Sequence, residues 1–103
     1  MILYNFNLTA GTAMTAPEQL ENTRKRLIFR SWHRGTREMD LIMGRFADAH
    51  VAQFTAAELA SYEQILTYSD PELYNWITGK EPVPANVLDP VMEKLLGATS
   101  LSV

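Results

Sequence analysis

No cysteine occurs among the 103 residues, so neither a disulfide framework nor a thiolate metal site is available. That absence is compatible with a reducing compartment. No apolar run approaches the roughly 18–20 residues needed to cross a bilayer, which argues against direct membrane insertion. No stretch keeps a period-two alternation, and no Asn-Gly or Asp-Gly hairpin dipeptide appears, so strands are not expected. Neither a GxGxxG nor a GxxxxGK[ST] loop is present, which removes the recognisable nucleotide cradles. Two histidines, His33 and His50, cannot build a catalytic triad with the acids at any visible spacing, and no His, Asp and Glu converge as a metal site would require. No catalytic residue is assigned, and a self-sufficient enzyme is not what this composition describes. Residues 1–13 lack the positive start of a secretory signal and the arginines of a mitochondrial transit peptide. The segment 1–14 reads as a disordered tail, with Met14 as an alternative start. The compartment expected from this is the bacterial cytoplasm.

What is present is one domain's worth of apolar residues, 47% of the chain, with a net charge of −3 that is unevenly distributed. Seven of the nine basic residues (Arg24, Lys25, Arg26, Arg30, Arg34, Arg37 and Arg45) fall between positions 24 and 45, against only Glu38 and Asp40. From Phe46 onward Lys80 and Lys94 oppose eight carboxylates. Such a dipolar surface orients a partner: nucleic acid, a phosphate-bearing group or an acidic protein face. The bland alternative is a solvated helix face.

Helical signals run the length of the chain. Thr15-Ala16-Pro17-Glu18 is a capping box with proline in the first turn, opening a helix from about Ala16 to Ser31 that buries Leu20, Leu27 and Ile28. Gly35 can take a left-handed conformation at the following joint. From about Thr36 a second helix places Met39, Ile42, Met43 and Phe46 at i, i+3, i+4 and i+7, continuing toward Val51. Thr55-Ala56-Ala57-Glu58 opens a third, with Leu59, Tyr62, Ile65 and Leu66 inward. Ser69-Asp70-Pro71-Glu72 opens a short fourth carrying Leu73, Trp76 and Ile77, stopped by Gly79. Pro82 and Pro84 form an extended link, and Asp89-Pro90 starts a last helix with Val91, Met92, Leu95 and Leu96, ended by Gly97. The expected fold is all-α: a small antiparallel bundle of four to five short helices over residues 15–97, with a tail at 98–103.

Helix, glycine turn and helix resemble a helix-turn-helix superficially. Yet the second helix turns Met39, Ile42, Met43 and Phe46 to the core, leaving few polar side chains to read base edges. A pI near 5.3 also lacks the basic footprint of a duplex-binding module. A small helical nucleic-acid-binding or regulatory interaction protein using residues 24–45 is the rival reading.

The segment Arg34-Gly35-Thr36-Arg37-Glu38 fits an RGxxE pattern, preceded by Arg26-Leu27-Ile28-Phe29-Arg30-Ser31 and followed by Met39-Asp40-Leu41-Ile42-Met43. About thirty residues on, Asp70-Pro71-Glu72-Leu73-Tyr74-Asn75-Trp76-Ile77 fits DPxLYxW. Together these make residues 24 to 80 resemble the FAD assembly factors of succinate dehydrogenase, the SdhE-type flavinylation proteins of bacteria and mitochondria. The residues before Thr15 and after Pro84 carry no such likeness. The resemblance implies a five-helix bundle that binds the flavoprotein subunit of succinate dehydrogenase, or of fumarate reductase, and promotes covalent attachment of FAD to a histidine there. It implies an assembly chaperone, not an enzyme. No cofactor is bound stably by the factor itself, because the FAD belongs to the partner, and a monomer is expected.

The partner-binding set then comprises Arg34, Gly35, Glu38, Arg37, Asp40, Arg30 and Trp32. Gly35 lets another backbone approach closely, and Arg34 offers a rigid fork of donors for a carboxylate, carbonyl or phosphate. Glu38, four residues on, either holds Arg34 in place or accepts from the flavoprotein. Asp40 and Arg37 frame the patch. Trp32 serves equally as an exposed aromatic anchor or as a cover on the core. Read without the resemblance, Gly35 is a helix cap and Arg34–Glu38 a surface ion pair worth under about 1 kcal/mol. With Leu73 and Ile77, Trp76 reads as packing.

Overall fold

Five α-helices and one 3-10 turn account for the regular structure of residues 14–99, the part of the chain that this computed structural model describes. In chain order they are α1 (Ala16–Trp32), α2 (Arg37–His50), the 3-10 turn (Val51–Gln53), α3 (Ala56–Ile65), α4 (Asp70–Ile77) and α5 (Pro90–Thr99). The expected all-α bundle is what forms. Of the expected tails, 1–14 and 98–103, all but Met14 and residues 98–99 lie outside the described residues, and 98–99 belong to α5. Among the described residues no helix is long and apolar enough to cross a membrane.

Capping chemistry sets the helix starts. Thr15, Thr55 and Ser69 each accept a hydrogen bond from the N–H three residues on, and Glu18, Glu58 and Glu72 each accept one from the N–H of the cap residue. Asp89 Oδ1 accepts from the Met92 N–H at 2.7 Å and starts α5. Gly79, at φ +80°, follows the end of α4 in a conformation a side chain would resist. The last helix departs from expectation, running through Gly97 to Thr99. A glycine inside a helix costs about 1 kcal/mol relative to alanine, which the contacts of Val91, Met92 and Leu95 with the core offset.

The inward faces follow the predicted spacing. Leu27, Met39, Met43, Phe46, Leu59, Tyr62, Ile65, Leu73, Trp76, Val91, Met92 and Leu95 form one buried cluster. Leu20, Ile28, Ile42 and Leu96 pack at its margin, only partly covered. Val51 and Phe54 join the core because the 3-10 turn after α2 folds them back under Phe46 and Tyr62. No helical periodicity runs through that turn to announce it.

Two contacts bind α1 to its neighbours. Against α2 the approach is close enough that a Cβ on Gly44 would come within 2.2 Å of the Trp32 indole. Trp32 therefore lies flat over Gly44, with Nε1 donating to Asp48 Oδ1 at 3.2 Å. Against α3, the buried Ser31 hydroxyl donates to Leu27 O at 2.7 Å, so the Tyr62 hydroxyl, 2.6 Å away, must donate to Ser31 Oγ. Burial pushes the Tyr62 pKa up to about 12, against smaller lowering effects from Ser31, Arg34 and Arg30. An ionised Tyr62 belongs to the unfolded chain, so stability is fully present below pH 10 and is lost as pH rises toward 12. A shift of this size corresponds to roughly 2–3 kcal/mol. Tyr62→Phe should lose about 1 kcal/mol near neutrality and show a shallower alkaline fall than the parent, measured by urea unfolding from pH 8 to 12.

Candidate functional site

The joint between α1 and α2, residues 33–36, is held by side chains that belong to it and by one that reaches across the bundle. His33 caps α1, and Thr36 caps α2 by accepting from the Met39 N–H at 3.2 Å. Gly35 sits at φ +119°, a region that L side chains rarely enter, with nothing within 4 Å of where a Cβ would stand. It is needed for its backbone conformation, and the space above it is open. Asp40, in the first turn of α2, folds back so that Oδ1 accepts from the N–H groups of both Arg34 and Gly35. Its charge lies at the positive end of the α2 dipole, where a carboxylate is favoured.

Arg34 points inward, away from Glu38. Its Nε donates to Asp70 Oδ1 at 2.9 Å, Nη1 to Leu66 O at 2.7 Å and Nη2 to Tyr68 O at 2.7 Å. The side chain is 10% exposed and that of Asp70 20%. The guanidinium thus satisfies the C-cap carbonyl of α3, Leu66 O, and the Tyr68 carbonyl in the turn that follows, and it sits at the negative end of that helix's dipole. It also pairs with the first residue of α4. One side chain therefore joins the two signature segments, and the expected Arg34–Glu38 contact does not form. Asp70 reads in sequence as a helix-start residue and as the first position of DPxLYxW; its pairing with Arg34, across 36 positions, leaves no local pattern.

The other site residues fall into place around this clamp. Arg30 is engaged with Glu63 at 3.7 Å, beside the Arg26–Glu63 pair at 2.9 Å. Trp32 is half-buried over Gly44, a cover more than a free anchor, though its edge still lines the surface. Phe29 is instead the exposed aromatic, at 63%, stacked on His33 with ring centroids 3.9 Å apart. His50, as expected, ends α2, where its ring lies against Phe46. Arg37 and Glu38 are exposed, and among the described residues neither has an ion pair or hydrogen-bond partner.

Two concavities flank the start of α2. One, open and about 550 Å³, is lined by Trp32, His33, Gly35, Thr36, Arg37, Asp40 and Leu41. It brings together four of the seven expected residues. Glu38 faces the other, a groove of about 610 Å³ between α2, α4 and α5. Leu41 borders both. Among the described residues no group of three His, Cys, Asp or Glu side chains could hold a metal ion. Arg34→Ala should cost about 3 kcal/mol, because it leaves Asp70 and two carbonyls unpaired. Glu38→Gln should stay within about 0.5 kcal/mol of the parent. Thermal unfolding of the two variants checks that split.

Comparison with known proteins gives a consistent result. A family described as "Flavinator of succinate dehydrogenase" matches residues 25–99. The chain is 40% identical over 88 residues to the FAD assembly factor SdhE of Acetobacter pasteurianus, covering 85% of this chain and 81% of that protein. It is 38% identical over 66 residues to the mitochondrial succinate dehydrogenase assembly factor 2 of Dictyostelium discoideum, covering 64% of this chain and 47% of that one. Over 82 residues it is 38% identical to the corresponding mitochondrial factor of Scheffersomyces stipitis, covering 77% of this chain and 55% of the relative. The chain thus spans most of the bacterial relative and about half the length of these mitochondrial ones.

Proposed function

The chain belongs to the succinate dehydrogenase flavinator family, and we propose from that premise that it binds the flavoprotein subunit of succinate dehydrogenase and promotes covalent attachment of FAD to it. It is an assembly factor, as its relatives are named, and not an enzyme in its own right. Gly35, Arg37, Glu38 and the edge of Trp32 form the docking face, with Arg34 and Asp40 setting its shape and Arg30 at its margin. The FAD stays with the partner. The factor works as a monomer in the bacterial cytoplasm, and the related flavoprotein of fumarate reductase is a second client.

One observation carries this reading. The joint is tied internally through Arg34 and Asp40, yet it displays at its surface a bare glycine backbone and two charges without internal partners, Arg37 and Glu38. The turn itself accounts for the glycine, whereas the Arg37 and Glu38 side chains take no part in holding the fold. A rigid surface with unpaired charges suits recognition, because little side-chain or loop order must be created on binding. The rival nucleic-acid reading loses support from the same contacts. Arg26 and Arg30 pair with Glu63, Arg34 with Asp70, and Arg24 donates to Phe54 O. Lys25, Arg37 and Arg45 are the cations of that region left without an ion pair among the described residues.

Gly35 separates docking from stability. Any side chain there meets about 1–3 kcal/mol of backbone strain, so a paired comparison is needed to read docking. Gly35→Ala and Gly35→Arg should lower the melting temperature alike, since a Cβ at this position meets no neighbour. Only the arginine, projecting bulk and charge over the joint, should abolish capture of the flavoprotein subunit and its in-gel flavin fluorescence. Full flavinylation by a folded Gly35→Arg variant would remove the joint from the docking face.

A further inference from the structure

One flank of α2, at the margin of the core, carries apolar side chains that the core leaves half-covered. Met39, Met43, Phe46 and Ala47 face inward and are buried. On that flank Leu41 and Ile42 remain only half-covered, and Ala49 is exposed. Leu41, Ile42, Phe46 and Ala49 of α2, with Tyr74 and Ile77 of α4, form the floor and walls of the 610 Å³ groove, and Ala98 of α5 closes its far side. Leu41 also borders the concavity beside Gly35, so groove and joint make one continuous surface.

Charge is arranged along this groove too. Glu38 and Arg45 both line it, seven positions apart on one helix, which places them about 10 Å from each other. Neither has an ion pair or hydrogen-bond partner among the described residues, whereas Arg26, Arg30 and Arg34 all pair within the fold. Two uncompensated charges of opposite sign along one wall of an apolar trough select a ligand by polarity and direction.

We propose that this groove is a second docking element for the flavoprotein subunit. It receives a segment that presents an apolar side chain to Leu41, Ile42 and Ala49, a carboxylate to Arg45 and a cation or backbone N–H to Glu38. The inference rests on the docking reading above and extends it: Glu38 acts from the groove side, not as a tether for Arg34. The apolar anchor supplies affinity and the two charges fix its register.

The test uses the full chain and the purified flavoprotein subunit, with titration calorimetry for affinity and flavin fluorescence of the subunit for attachment. Ala49→Trp fills the groove from an exposed position, and Arg45→Glu reverses one of the two charges. Each should raise the dissociation constant at least tenfold while leaving the melting temperature close to that of the parent. If both bind within twofold of the parent while Gly35→Arg fails, the groove is not a docking element and the joint stands alone. If all three bind as the parent does, the docking reading fails with it. Dimerisation of the isolated chain that Ala49→Trp abolishes would assign the groove to a second copy and overturn the proposal. A lower melting temperature on removal of residues 100–103, with flavoprotein binding unchanged in that variant and in Ala49→Trp, would assign it to this chain's own segment and overturn the proposal as well.

Discussion

Everything at the candidate site depends on one half-hidden arginine. Arg34 leaves the α1–α2 joint, crosses to the α3–α4 turn and there satisfies Asp70 and the carbonyls of Leu66 and Tyr68. A planar fork with donors at fixed angles can make all three contacts at once; a lysine could not. A salt bridge this far from water adds little net stability by Coulomb attraction alone. Its value lies in geometry. By fixing where residue 34 must be, it fixes the turn that follows and obliges Gly35 to take a left-handed backbone. Asp40 then closes the loop from the other side. The exposed members of the motif are held in place without touching anything themselves.

That division of labour explains which features the sequence disclosed. Local rules were decisive for the helices, because capping boxes and i, i+3, i+4 apolar spacing act within a few residues. Thr15, Thr55 and Ser69 therefore marked three helix starts correctly. The 3-10 turn at Val51 escaped because it has no periodicity, and α5 passed beyond Gly97 because tertiary contacts outweigh a single helix-interior glycine. The site was legible as a pattern but not as an arrangement. RGxxE and DPxLYxW were both visible, yet nothing local says that Arg34 of the first pairs with Asp70 of the second. Spacing of four suggested Glu38, and the fold supplied a better-buried carboxylate instead. Trp32, which the sequence left equally as anchor or as cover, was decided by a contact of a similar kind. Gly44, an isolated glycine within α2, left room for the indole to lie flat and so drew Trp32 inward.

The uneven charge distribution also has a structural origin once the contacts are known. The basic segment of α1 is drawn against the acidic second half of the chain, with Glu63 accepting from Arg26 and Asp70 from Arg34. Part of what looked like a surface for an external anion is internal complementarity between the two halves of the bundle. Of the charges left over in the basic region, Lys25 stands on α1, while Arg37, Glu38 and Arg45 lie on α2 beside a half-covered apolar flank.

The central claim is that the Arg34–Asp70 clamp orders the joint. Amide hydrogen exchange at the joint in an Asp70→Asn variant tests it most directly, since Asp70 lies outside the proposed docking face. The account predicts that the Arg34 and Gly35 N–H groups exchange at least tenfold faster while those of α3 facing the core keep their protection. Unchanged exchange at Arg34 and Gly35 would mean that the joint is ordered without the clamp, and the account would be wrong.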